Sequence, residues 1–243
     1  MKVAADGKCW AEPVGGCDGP ITREHLATDS LFDGKARALG GMSRNAGVES
    51  SFRLLTANIL CRAHNNELGR TADAAAQKLH RHLQTSHTPM KLHGSRILRA
   101  PVERRVSGVN FGRWLCKTHC NYTVAHGLEP DRAFVEYAFQ RRLSKPIYIY
   151  FAGQKDETTN LANGRNPIVH WGQLVDVDEN VIGFELSLAG FASVVSANPL
   201  RLGNQQLVDR ICTLQWHTPL GPYRISFDWQ GEAQPVQCVE HNA

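Results

Sequence analysis

Two short stretches, about forty residues apart, carry the side chains with chemistry to offer. In Ile21-Thr22-Arg23-Glu24-His25-Leu26 a carboxylate stands beside an imidazole. In Cys61-Arg62-Ala63-His64-Asn65-Asn66 a thiol and an imidazole bracket two residues and are followed at once by amide side chains. Upstream, Cys9 and Cys17 add two more thiols. Cys9, Cys17, Cys61 and His64 together have the soft sulfur and nitrogen character that one tetrahedral zinc ion prefers.

Hydrolysing a phosphodiester needs a base to deprotonate water, a cation to neutralise charge on the phosphoryl oxygens, and help for the leaving oxygen. A neutral histidine suits the first task near pH 7. A hard divalent ion such as Mg2+ suits the other two and prefers oxygen ligands. Glu24 and Asn65 are oxygen donors of that kind. Adjacent residues of a strand point to opposite faces, so Glu24 and His25 need not compete for one position.

The elements that must position these residues read as follows. The first third, punctuated by Gly15, Gly16, Gly19 and Pro20, reads as loop and short hairpin. Residues 33–50 read as an exposed loop. Leu54, Leu55, Ile59 and Leu60 form a short apolar strand leading into Cys61, and 62–83 is rich in helix formers, with Gly69 as a break. Residues 84–108, with Pro89, Gly94, Pro101 and Gly108, read as a connector. Beyond it, Phe111, Trp114, Leu115, Thr118 and Tyr122 recur at helical spacing, and Pro130 suits the first turn of a second helix carrying Phe134, Val135, Ala138 and Phe139. Strands follow at 147–151, 168–177, 181–188, 207–216 and 223–229, with a turn at Asp178-Glu179-Asn180. The expected class is α+β. A first unit, 1–105, bears the motifs, and a second, 106–243, has two helices packed on an antiparallel sheet.

The motif residues resemble the HNH endonuclease family, whose shared core is a β-hairpin and a helix around a catalytic metal. The resemblance covers roughly residues 9–83. It rests on the paired cysteines, on Arg23-Glu24-His25, on Asn58 ahead of the Cys61/His64 knuckle, and on Asn65 directly after it. It implies a structural zinc on Cys9, Cys17, Cys61 and His64, stapling hairpin to helix. His25 would be the general base, Glu24 and Asn65 the ligands of a catalytic Mg2+ or Mn2+, and Asn58 the residue that braces the hairpin. Asn66 is an alternative to Asn65 that spacing does not separate. The chain departs from the family in four places. Seven residues separate Cys9 from Cys17 where two are usual, Glu24 stands for the commoner Asp, His64 for a Cys, and Asn65 for a final His. The expected activity is metal-dependent endonuclease cleavage of nucleic acid, DNA first. The alternative is a zinc-stabilised nucleic-acid-binding or protein-interaction module without catalysis.

Charge agrees with a polyanionic partner. Net charge is +4, but residues 1–105 hold 16 Lys and Arg against 10 Asp and Glu, while 106–243 hold 11 against 13. Arg23, Arg62, Arg70, Lys78 and Arg81 are the expected phosphate contacts. The second half is assigned to target choice, control, or assembly with another copy or a partner protein. Seven cysteines, an odd number irregularly spaced, favour a reducing compartment over a disulfide scaffold. No apolar run approaches the ~20 residues of a membrane span, and the start lacks a secretory h-region, so the expected location is cytoplasmic, with no membrane partner.

Some residues invite function and are read as structural. Cys116 and Cys120 flank His119 on an apolar helix and read as buried helix-face cysteines. His80 and His82 lie two apart on a helix and make a poor chelate. Asp73 reads as a solvated helix residue, Cys212 and Cys238 as incidental, and Trp171, Trp216 and Trp229 as core.

Overall fold

The computed structural model describes residues 7–28, 31, 37–38, 50–51, 56–87, 102–153, 170–175, 181–188, 191–202, 205–206, 210–218, 221–231 and 240–242. Most of the expected loop at 33–50, the expected turn at 178–180, and Cys238 lie outside the described residues.

A 3-10 turn, Glu12–Val14, opens the motif-bearing part. Strand β1 (Ile21–His25) follows, then the short pair β2 (Arg37–Ala38) and β3 (Ser50–Ser51), then β4 (Thr56–Cys61). β1 and β4 are antiparallel, and Thr22 faces Leu60 while Arg23 faces Asn58. Ile59 is therefore an extra residue, a bulge that lets Ile59, Leu60 and Cys61 all turn inward. Helix α1 (Arg62–Leu68) begins directly on Cys61. Gly69 does not break the helix. A π-helical turn, Gly69–Asp73, carries it on into α2 (Ala74–His87), and such a wider turn rephases the faces of a helix around it. α2 buries Ala75, Ala76, Leu79 and Leu83 and exposes Lys78 and Arg81, the division expected of an amphipathic helix.

The expected connector contains strand β5 (Val102–Ser107), and the expected boundary after residue 105 falls inside it. β5 pairs in parallel with a strand far along the chain, from Val102 opposite Tyr223 to Ser107 opposite Asp228. Ser107 then caps helix α3 (Gly108–Ala125), accepting from Asn110 N–H at 3.2 Å. Asp131 caps α4 (Arg132–Ala138) through Ala133 N–H, so Pro130 stands just before the cap and not in the first turn. The remaining strands are β6 (Tyr148–Gly153), β7 (His170–Val175), β8 (Val181–Leu188), β9 (Phe191–Ser196), β10 (Arg201–Leu202), β11 (Gln205–Gln206), β12 (Thr213–Thr218), β13 (Gly221–Asp228) and β14 (Glu240–Asn242).

With β5 they form two four-stranded sheets and the short pair β10-β11. The sheet β6-β9-β8-β7 is antiparallel throughout, as expected. The sheet β14-β12-β13-β5 is mixed, because β5 and β14 arrive from distant parts of the chain and lie parallel to their neighbours. α3 packs on α2, α4, the π turn, β4 and strands of both four-stranded sheets. Gly112 permits a close approach to Ile149 of β6, since a Cβ there would stand 2.4 Å from Ile149 Cδ1. One buried core joins Leu60 and Leu79 to Phe111, Trp114, Ile149 and Phe227. Cys116 and Cys120 are buried in it, as the sequence suggests, and so is Trp229. Cys212 is not incidental: it is disulfide-bonded. No helix among the described residues is long and apolar enough to cross a membrane.

Candidate metal centre and the helix behind it

The 3-10 turn explains how a seven-residue gap serves two ligands of one site. It folds the chain back after Cys9, and Gly15, at φ 74°, reverses it in a conformation that favours glycine. Cys17 is thereby returned to the side of Cys9. Cys61 comes from the inward end of β4, and His64 from the first turn of α1. The ligand atoms of Cys9, Cys17, Cys61 and His64 all lie within 4.8 Å of one another. His64 Nδ1 is 3.3 Å from Cys9 Sγ, 3.7 Å from Cys17 Sγ and 3.3 Å from Cys61 Sγ. Ligands on a tetrahedral zinc stand roughly 3.5–3.8 Å apart at ordinary Zn–S and Zn–N lengths. The cluster therefore has the composition and size to hold one zinc ion.

The surroundings suit that task. His64 Nε2 donates to the Gly15 carbonyl at 2.9 Å, which fixes the ring with Nδ1 toward the thiols. Burial pushes the Cys9 thiol up from its ordinary value, and burial with the neighbouring thiols pushes Cys17 up to about 12. Burial acts upward on Cys61 too, but the backbone N–H groups of His64 and Asp18 bring it below its ordinary value. Position at a helix N-terminus acts in the same direction.

Glu24 and His25 lie in β1 on opposite faces, as strand alternation requires. Glu24 is buried, and His25 is half-buried at the strand end, opposite Thr56. Asn65, half-buried on α1, donates from Nδ2 to Thr22 Oγ1 at 3.1 Å, so its Oδ1 is the atom left to act as a ligand. Thr22 shares a strand face with Glu24, which puts Asn65 over the same side of the hairpin. Asn66 is exposed. Asn58 is exposed as well, opposite Arg23 on the outer side of the hairpin. Arg23 donates to Thr56 Oγ1 at 2.7 Å. Arg62, Arg70, Lys78 and Arg81 are all exposed.

Glu24 does not stand free. Lys117 Nζ on α3 lies 2.8 Å from Glu24 Oε1 and 2.8 Å from Asp73 Oδ2. The other Asp73 oxygen accepts from Thr28 Oγ1 at 2.8 Å, and Thr28 accepts from Trp114 Nε1 at 2.9 Å. Asp73 is therefore no solvated helix residue; the π turn delivers it to a buried ammonium. Burial would lower the pKa of Lys117, but Asp73 and Glu24 outweigh it and hold the lysine above its ordinary value. Burial pushes the Glu24 carboxyl up, against the pull of Lys117. The oxygen donors offered to a hard divalent ion thus fit it only in part, because one carboxylate oxygen is already taken by an internal cation.

Lys117 belongs to a stripe that sequence reading missed. Arg113, Lys117 and Asn121 recur every four residues on α3 and are almost wholly buried. All three reach into the motif-bearing part. Arg113 Nη2 meets Glu67 Oε1 at 3.0 Å. Asn121 donates from Nδ2 to the His25 carbonyl at 3.2 Å and accepts from Trp10 Nε1 at 2.9 Å. Trp10 follows Cys9, and its backbone N–H bonds the Ile59 carbonyl. Asn121 therefore ties the cysteine knuckle to the residue expected to act as base. A readable signal existed: Arg113, Lys117 and Asn121 stand at i, i+4 and i+8 and so share one face of the helix. Among the described residues no second group of three or more metal-type ligands occurs. Compared with known proteins, the chain matches no family model, no curated protein and no solved structure.

Proposed function

We propose that this chain is an HNH-like, zinc-stapled endonuclease that hydrolyses phosphodiester bonds of nucleic acid, DNA first, with His25 as general base. The observation that carries this reading is the cluster of three cysteines and a histidine. It clamps a β-hairpin to the start of a helix, with His25 at the end of one strand and Asn65 on the helix. In this reading His25 takes a proton from water, and Asn121 holds the strand end so that the imidazole keeps its place. Arg23, Arg62, Arg70, Lys78 and Arg81 offer exposed positive charge to the phosphates. A divalent ion such as Mg2+ or Mn2+, held through Asn65 Oδ1 and Glu24, would supply neutralisation of charge on the phosphoryl oxygens.

One observation favours a second reading. Glu24 and Asp73 are both satisfied by Lys117, so the negative charge that would recruit a divalent ion is offset within the chain. On that ground the module would bind nucleic acid through a zinc-stapled scaffold without cutting it. Nicking of supercoiled plasmid in Mg2+ or Mn2+ separates the two. The nuclease reading requires divalent-dependent nicking that is lost in His25→Ala and demands more metal in Asn65→Ala. Binding without nicking, in protein carrying its zinc, would support the second reading.

A further inference from the structure

β5 straddles the expected boundary and packs against α2. Val106 is buried in the core. Strand alternation puts Arg104, two residues earlier, on that same face, beside α2. Glu103 and Arg105 take the opposite face, where Glu103 Oε1 accepts from Ser226 Oγ at 3.3 Å. On α2, Lys78, Arg81 and His82 sit at i, i+3 and i+4 and so line one side of the helix. Lys78, Arg81 and Arg104 are exposed. His82 lies among them, half-buried, with Nε2 enclosed and without a hydrogen-bond partner among the described residues. Burial first, and then the charges of Arg104, Lys78 and Arg81, hold the His82 imidazole below its ordinary value. Among the described residues, the charges acting on it are positive.

We propose that Arg104 joins Lys78 and Arg81 in one basic shelf that grips the phosphodiester backbone of nucleic acid. The proposal rests on the nucleic-acid reading above and extends it from α2 to β5, the strand that pairs with β13. A polyanion laid across three cations on one surface is attracted by each of them. The arginine forks can each take two phosphate oxygens, while Lys78 acts as a point charge between them. Because one cation comes from a strand and two from a helix, the shelf has width as well as length. Its contacts go to phosphate and not to base edges, so it sets affinity and register without choosing a sequence.

The test uses the full chain with its zinc, a short fluorescein-labelled DNA duplex, and the RNA duplex of the same sequence, each titrated over a salt series. Each lost phosphate contact lowers the slope of log affinity against log salt by about 0.9. Arg104→Gln should therefore flatten the wild-type slope by about 0.9, and Lys78→Gln/Arg81→Gln/Arg104→Gln by about 2.7. Arg105→Gln, one residue away on the opposite face, should leave it unchanged. Matched zinc content and melting temperature guard against misfolding. Steep salt dependence in wild type with Arg104→Gln and Arg105→Gln behaving alike would overturn the shelf and leave the nucleic-acid reading standing. Failure of wild type to bind either duplex at low salt would overturn both.

Discussion

Lys117 stands 2.8 Å from a carboxylate oxygen of Glu24 and 2.8 Å from one of Asp73, so a single buried ammonium joins the hairpin, the π turn and α3. Removing that ammonium alone leaves two carboxylates facing each other with almost no access to water. Breaking a buried ion pair by deleting one partner costs about 3–5 kcal/mol. Lys117→Met should lose stability of that order in chemical denaturation, and Lys117→Met/Glu24→Gln/Asp73→Asn should recover part of it. A single variant within about 1 kcal/mol of wild type, with unchanged cooperativity, would show that the triad carries little.

The same triad makes the two halves of the chain interdependent. A fragment ending at residue 105 loses Arg113, Lys117 and Asn121, the apolar face of α3, and the β13 partner of β5. It should keep the zinc ligands in sequence and yet fail to hold zinc through gel filtration, because metal binding and folding are coupled. A fragment that stays folded with one zinc per chain would contradict this dependence.

Acid should weaken the fold through His119. Burial holds this imidazole at about 4, against an ordinary 6.5, and its ring packs 4.2 Å from that of Phe134. Above pH 6.5 folded and unfolded chains are both neutral there, and no penalty arises. As pH falls from 6.5 toward 4, only the unfolded chain takes up the proton, so stability drops by about 3 kcal/mol and then levels. Denaturation midpoints across that window, compared with those of His119→Gln, check the sign. An equally steep loss in the variant would assign the acid sensitivity elsewhere.

Zinc uptake should release protons. In the metal-free protein the Cys9 and Cys17 thiols are held up by burial, Cys17 at about 12, whereas zinc takes thiolate. Binding measured near pH 7 in weakly buffered solution should therefore liberate roughly two to three protons, and affinity should fall as pH is lowered. Cys61→Ser should lose the zinc and destabilise the hairpin–helix unit together. Folded, untreated protein that contains no zinc by elemental analysis would refute the metal centre.

Much of this arrangement could be read from residue types. The four zinc-type ligands were legible because soft donors are rare and their order along the chain is restrictive. The helix from Arg62 followed from short-range pattern, whereas strand β1 was legible only through the hairpin that the family resemblance implies. Three things were not legible. Gly69 reads as a break, but the π turn absorbs it, and the tertiary partner of Asp73 at the end of that turn, Lys117, lies on another helix. β5 looked like a connector, since its only ladder partner among the described strands is more than a hundred residues away. Lys117 looked unremarkable because a lysine is read as exposed until its carboxylates are found, and those carboxylates lie on two other elements. Charge counts by half do not reveal how α3 enters the site, since the two cations Arg113 and Lys117 sit in a half that is acidic in sum, 11 Lys and Arg against 13 Asp and Glu.

The most direct test of hydrolysis through His25 is the single-turnover rate of plasmid nicking in saturating Mn2+, for wild type and for His25→Ala matched in zinc content and melting temperature. The expected result is nicking that depends on the divalent ion and falls about 10²–10⁴-fold in the variant, the range a general base contributes. Equal rates in the two proteins, or no nicking by zinc-loaded wild type that binds the plasmid, would contradict it.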